Sequence, residues 1–153
     1  MKEASVLLHN VRSAHNVGSI FRTADAAGVQ HIYLTGYTPR PVDRFGQAQK
    51  EIAKTALGAE KYLPWTYEKT PAACIAALKK RGWKIVGVEQ DTRSIGYKKF
   101  KSGLKTVYLL GNEVLGLSKI LRDSCDEIIE IPMQGKKESL NVSVAAGIIL
   151  FNT

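Results

Sequence analysis

Little in this 153-residue chain offers the usual handles on function. There are two cysteines, Cys74 and Cys125, without CxxC or Cys/His spacing. That excludes a disulfide framework and a structural zinc site, and points to reduced, buried thiols in a cytoplasmic protein. No apolar run reaches the ~20 residues a bilayer span needs. The first ten residues hold too short an apolar stretch for a signal peptide. No GxGxxG follows a strand-like run and no GxxxxGK[ST] occurs, so a small molecule here is not cradled by a Rossmann or P-loop turn. Ser/His/Asp and HExxH arrangements are absent too. His9, His15 and His31 lack ligand spacing, so they read as structural and no metal is expected. Acidic residues are also in short supply: 14 against 22 Lys and Arg, a net charge of +8. That excess favours a polyanionic partner, nucleic acid ahead of membrane, because no basic amphipathic helix stands out.

What is present is ordinary globular material, 44% hydrophobic and 24% charged, without repeats or low-complexity linkers. It reads as one domain over residues 1–153, large enough to bury roughly 70% of its unfolded surface. Strand-like runs at Ser5–Leu8, His31–Leu34, Lys84–Val88, Thr106–Leu110 and Glu127–Ile131 alternate with helical patterns, and Tyr62–Trp65 reads as extended. This alternation predicts an α/β three-layer sandwich with a largely parallel sheet, Thr106–Leu110 at its centre.

In the first helix Val17, Ile20, Phe21, Ala24 and Gly28 fall at i, i+3, i+4, i+7 and i+11, with Gly28 as the stop. Asn16 sits at its entrance, placed to cap. Arg22 lies off the apolar stripe, and Gly18 one turn earlier reads as open space beside the guanidinium. By itself Arg22 is equally a solvated helix charge. Gly36–Gly46 is a loop carrying Tyr37, Arg40, Arg44 and Phe45, and Gln47–Leu57 reads as a short helix closed by Gly58. Pro71 opens a helix over 72–81 that Gly82 ends. After Asp91, Arg93 and Ser94, the run Tyr97–Lys101 reads as an exposed loop. Gly111–Leu117 leaves the central strand for a helix with Leu117, Ile120 and Leu121 on its apolar side. Glu113 there is otherwise a first-turn carboxylate, worth ~0.3–1 kcal/mol against the helix dipole.

The final run, Ile131–Phe151, begins as a loop through Pro132, Gly135, Lys136 and Lys137. From Ser139 its residues leave almost no polar face, which predicts a helix enclosed on most sides. Ser143, Ala145, Ala146 and Gly147 keep that helix slim, and Ser139 and Asn141 at its mouth read as caps.

Three segments in order, Asn16-Val-Gly-Ser-Ile-Phe-Arg22-Thr-Ala, Gly111-Asn-Glu-Val-Leu-Gly-Leu117 and Ser139-Leu-Asn-Val-Ser-Val-Ala-Ala, resemble the three motifs of the SpoU/TrmH family of S-adenosylmethionine-dependent RNA 2′-O-methyltransferases, within the SPOUT class. The resemblance implies a deep C-terminal trefoil knot, rare among proteins generally. It also implies a homodimer in which the first motif of one subunit completes the other's site. The chain would be the catalytic domain alone, without the RNA-binding extension of longer members.

By the same resemblance Arg22, Asn16, Glu113, Asn141 and Ser139 form the catalytic set. Arg22 acts on the ribose 2′-hydroxyl, as a nucleophile-orienting group, since a free guanidinium with pKa above ~12 is a poor base. Leu110, Gly111, Ile131, Met133, Ser139, Leu140 and, from its strand position, Glu89 line the cofactor site, with S-adenosylhomocysteine as product and no metal. The charge pattern adds Arg12, Arg40, Arg44, Lys50, Lys136 and Lys137 as RNA contacts. The expected substrate is tRNA at the anticodon wobble ribose, ahead of the D-loop guanosine. An rRNA substrate and a non-catalytic RNA-binding module are the alternatives.

Overall fold

Helices and strands alternate along the chain, and every strand pairing is parallel. In the computed structural model, which describes residues 1–152, β1 (Glu3–His9), β2 (Ile32–Thr35), β3 (Trp65–Glu68), β4 (Lys84–Val88), β5 (Ile95–Gly96), β6 (Lys105–Leu110) and β7 (Glu127–Glu130) form one sheet. Its order is β3-β2-β1-β6-β4-β7-β5. The expected centre is met: β6 lies between β1 and β4, with Leu8 opposite Leu110 and Gly87 opposite Leu109. Its run Val107–Leu110 is almost wholly buried, as a strand covered on both faces must be.

Alternation along the strands sorts the core into two halves. Val6, Leu8, Tyr108 and Leu110 face α1 (Ala14–Ala26), α2 (Lys50–Ala56), α3 (Ala59–Tyr62) and α6 (Val142–Leu150). Leu7, Val107 and Leu109 face α4 (Pro71–Lys80) and α5 (Lys119–Ser124). Three layers follow from the strand period of two.

Several local expectations are corrected. The cap of α1 is Ser13, whose hydroxyl accepts from the Asn16 N–H at 3.2 Å, which leaves the Asn16 side chain free for other work. Gly18 leaves no open space: a Cβ there would run into Thr55 Oγ1 and the Ile52 carbonyl, because α1 and α2 touch backbone to backbone at this point. Tyr62 ends α3 rather than starting a strand, and β3 begins at Trp65. The two-residue edge strand β5 lay in a stretch read as polar loop. Behind it Tyr97 and Phe100 pack on the core, Phe100 edge-on to Tyr108. Leu117 precedes α5, which Ser118 caps, so Ile120 points to solvent at 80% exposure rather than inward. The closing helix α6 is only half enclosed. Val142, Ala146, Ile149 and Leu150 are buried against the core, whereas Val144 is 50% exposed and the C-cap Phe151 is 64% exposed. No helix among the described residues is long and apolar enough to cross a membrane.

Candidate active site

The carboxyl ends of β4, β6 and β7 open side by side, the place where open α/β sheets collect ligands. Three loops leave there: Glu89–Gln90, Gly111–Gly116 and Ile131–Leu140. Together with the start of α6 they enclose a cavity of about 280 Å³. All seven residues expected at a cofactor site line it: Glu89, Leu110, Gly111, Ile131, Met133, Ser139 and Leu140. Val88, Val142 and Ala145 complete the apolar wall.

The β6 loop is held by carboxylates and an amide. Asn112 Oδ1 accepts from the backbone of Val114 and Leu115, each at 2.8 Å, closing a tight turn. Glu89 Oε2 accepts from the Leu117 N–H at 2.9 Å, so the carboxylate tethers the far side of the turn. Gly116, at φ +64°, passes so close to that carboxylate that any Cβ would meet Glu89 Oε2. The positive φ favours glycine there, and a side chain would also push the Glu89 carboxylate off the Leu117 N–H. Across the cavity Gln90 Nε2 donates to the Glu138 carbonyl at 2.6 Å and draws the β7 loop towards β4.

Glu113 does not sit in the first turn of the following helix. It reaches across to α1, where Oε1 accepts from the Arg12 N–H and Oε2 from the Ser13 N–H, both at 2.9 Å, and Oε2 also accepts from Asn16 Nδ2 at 3.1 Å. Burial works to raise its pKa, but these donors outweigh it and hold the carboxyl below its ordinary value. The chain of contacts continues: Asn141 Nδ2 donates to Asn16 Oδ1 at 3.1 Å, while Asn141 Oδ1 caps α6 through Ser143 N and Val144 N. One residue from each of the three motifs thus meets in a single hydrogen-bonded line, Glu113 to Asn16 to Asn141.

Arg22 is not part of it. Six residues beyond Asn16, it lies ~9 Å further along α1 and ~240° around its axis. It is exposed on the face where α1, α2 and Phe151 meet, and no hydrogen bond or ion pair among the described residues engages it. The expected basic residues do not form one patch either. Arg40 and Arg44 line a second cavity, Lys50 begins α2, Arg12 precedes the cap of α1, and Lys136 and Lys137 lie on the loop after β7.

Sequence reasoning missed Asn112, Arg122 and Glu130, which also line the cofactor-sized cavity. Arg122 comes from α5; Nη1 donates to the Leu117 carbonyl at 2.6 Å and Nε lies 3.0 Å from Asp91 Oδ2. Asp91, hydrogen-bonded by Arg93, is held far below the usual carboxylate range. Glu130 accepts from Ser94 Oγ at 2.8 Å. Asn112 stands inside the second motif segment, next to Glu113; Arg122 and Glu130 carry no motif, and the cluster of charge around Asp91–Ser94 was the available signal. The three histidines behave as structural groups: His9 bonds Thr35, His15 bonds Glu51 and His31 bonds Thr66.

Residues 3–151 match the SpoU rRNA Methylase family. The chain is 37% identical over 147 residues to the 23S rRNA (guanosine-2′-O-)-methyltransferase RlmB of Photobacterium profundum, covering 95% of this chain and 57% of that protein. The chain spans little more than half the length of the curated relatives it matches. Among solved structures, the TrmH/SpoU tRNA modifying enzyme of A. aeolicus superposes with a TM-score of 0.85 at 31% identity, over 99% of this chain and 74% of that one. The AdoMet-bound rRNA methyltransferase of Sinorhizobium meliloti gives 0.85 at 31%, over 98% and 55%. With the motifs, the parallel sheet and these relatives in agreement, the chain belongs to the SpoU family, and membership implies the SPOUT trefoil knot expected for its C-terminal segment.

Proposed function

We propose that this protein transfers a methyl group from S-adenosylmethionine to a ribose 2′-hydroxyl of RNA. The observation that carries the reading is the line Glu113–Asn16–Asn141 at the edge of the cavity, which ties all three family motifs to one pocket. The lining fits the cofactor. Leu110, Ile131, Met133 and Leu140 give apolar walls for an adenine, Glu89 and Glu130 offer carboxylates towards ribose hydroxyls and a sulfonium charge, and the volume is near the ~300–1,000 Å³ of small-molecule sites. AdoMet-bound relatives support the same choice. When bound, S-adenosylmethionine supplies a methyl already activated on positive sulfur, so no metal is called for.

The chain's own residues do the positioning, which can be worth ~7–11 kcal/mol. Glu113 and Asn141 set the loops that shape the pocket, and Ser139 lines it beside Leu140. Arg22 orients the attacking hydroxyl and a neighbouring phosphate. Because Arg22 faces away from its own pocket, it serves the pocket of a second copy, across a homodimer built on the α1–α6 face where Val144 and Phe151 are exposed. The RNA is tRNA, with the anticodon wobble ribose ahead of the D-loop guanosine, and rRNA is the second reading because relatives bear both names. Two free cysteines agree with a cytoplasmic setting.

Calorimetric titration with S-adenosylmethionine and S-adenosylhomocysteine tests the reading first, and methyl transfer to total tRNA and rRNA second. Heat on titration followed by labelled tRNA is expected. No heat with either ligand would leave a non-catalytic RNA-binding module in its place. RNA affinity should fall steeply between 50 and 200 mM salt, as counterions released from phosphates require; a flat response removes the basic surface from the account.

A further inference from the structure

Beside the cofactor cavity lies a second one, about 370 Å³, between the β2–α2 loop and β3, and no residue of the three motif segments is in its lining. Its walls are aromatic rings and guanidinium groups. Tyr37 is 56% exposed and Phe45 75% exposed, large rings that a globular surface normally covers. The Arg40 guanidinium lies 4.1 Å from the centroid of the Tyr67 ring, and that of Arg44 lies 4.9 Å from the Phe45 ring.

The backbone of this wall and two of its rings, Tyr37 and Tyr67, are held by hydrogen bonds. The segment carrying Phe45 is a small hairpin, with an antiparallel bridge between Val42 and Ala48 and Gln49 N donating to the Pro41 carbonyl at 2.9 Å. Asp43, the one acid in the wall, spends Oδ1 on the Phe45 and Gln47 N–H groups at 2.8 and 3.0 Å. Tyr37 is pinned at both ends. Its N–H donates to Asn10 Oδ1 at 3.0 Å, and its hydroxyl accepts from Asn112 Nδ2 at 2.9 Å. Asn10 takes a left-handed backbone at φ +55°, a conformation asparagine adopts more readily than other residues with a side chain. Tyr67 is held through its hydroxyl, which donates to the Gly36 carbonyl at 2.7 Å.

We propose that this cavity is a stacking subsite for one unpaired nucleobase of the substrate RNA, a nucleotide close to the methylated ribose. Aromatic faces and guanidinium planes are the groups on which splayed-out bases stack, and the same guanidiniums pair with the adjoining phosphate. A ring locked before binding loses little entropy on contact, which is what the double pinning of Tyr37 provides. Asn112 makes the subsite contiguous with the chemistry: its amide donates to Tyr37, and it lines the cofactor cavity. The subsite therefore senses the base next to the reacting sugar and supplies sequence or loop selectivity. The inference rests on the RNA reading above.

The test uses the full chain and fluorescence anisotropy with single-stranded and stem-loop RNA oligonucleotides. Phe45→Ala and Tyr37→Ala should each weaken binding roughly five- to hundredfold, the range of one lost base stack. Tyr37→Phe, which keeps the ring but loses the Asn112 pin, should weaken binding less than Tyr37→Ala does. An abasic scan of the oligonucleotide should find one position whose loss weakens wild-type binding by a similar factor yet leaves the Phe45→Ala protein nearly indifferent. Unchanged thermal melting and S-adenosylmethionine heats in the variants show that the fold and the first cavity are intact. Ring variants that bind like wild type, or a flat abasic scan, overturn the subsite while wild-type RNA binding and methyl transfer keep the broader reading alive. AMP or UMP binding as tightly as the oligonucleotides assigns the cavity to a free nucleotide and overturns it likewise. A wild-type protein that neither binds nor methylates RNA removes the broader reading, and the subsite with it.

Discussion

The two ends of α1 are treated in opposite ways. At its start, Asn16 is tied through both atoms of its amide, donating to Glu113 and accepting from Asn141. Almost two turns later Arg22 is exposed, and no hydrogen bond or ion pair among the described residues engages it. The same helix belongs to the pocket at one end and to an open face at the other. The cavity beside Glu113 is built by the loops after β4, β6 and β7, and Arg22 is not among its lining residues. The slope of the helix decides this: six residues turn the side chain ~240°, so one helix cannot point both groups at one cavity.

The largest effect should come from breaking the open end. Arg22→Ala is expected to cut methyl transfer at least about a hundredfold, as loss of a charged group on a reacting oxygen does, with S-adenosylmethionine affinity within about twofold. Unchanged turnover would remove Arg22 from the mechanism. A sharper version mixes Arg22→Ala protein with a pocket-blocked Leu140→Trp protein, each inactive by itself. Random exchange should restore roughly a quarter of wild-type activity, since half of the dimers are mixed and each of those holds one complete site. Mixtures that stay dead would mean that each chain uses its own arginine. A monomeric mass by light scattering at micromolar concentration would count against the shared site as well.

Between the two ends, Gly18→Val tests the contact that aims the helix. Two methyl groups and a Cβ would be driven into Thr55 and the Ile52 carbonyl, so a loss of at least ~1–3 kcal/mol is expected, seen as a lowered denaturation midpoint. A midpoint equal to wild type would place α2 elsewhere. The tied end comes next. Glu113→Ala strands the Arg12 and Ser13 N–H groups and the Asn16 amide, for ~1–3 kcal/mol, towards the lower figure because water reaches this half-buried site. Its pH signature is directional. Since the folded pKa lies below that of a free glutamate, the contribution of Glu113 is full above the unfolded value and is lost as pH falls through the folded pKa. The acid limb of the stability curve should therefore be flatter in Glu113→Gln, and an identical limb in both proteins would break the clamp assignment. Smallest is Asn141→Ala, about 1 kcal/mol for a lost N-cap by thermal melting. A melt unchanged from wild type would remove Asn141 as the cap of α6.

Much of this was legible in the residues. The central strand declares itself because Val107–Leu110 has no polar position for a solvent face, and Pro71 and Gly82 bracket α4 by backbone chemistry alone. The seven residues named for a cofactor site all line one cavity, because they stand at strand ends and in the loops and motif segments that follow them. Misreadings fall where distant segments meet. Gly18 looks like spare room in a list and is a close contact in space, because the neighbour that fills it is 37 positions away at Thr55. Glu113 looks like a first-turn acid and is a clamp on a helix a hundred residues upstream. Ile120 fits an apolar helical period, yet no layer lies above it to cover it.

Periodicity and glycine and proline placement are properties of short stretches, and they determined most of the strands and helices and the parallel α/β class. Which face of α1 meets which cavity, the cradle of rings around Tyr37, and the exposure of one side of α6 were decided by tertiary structure. They depend on separations of tens of residues closing to about 3 Å, and hydrogen bonds of that length are set by the packing of whole layers.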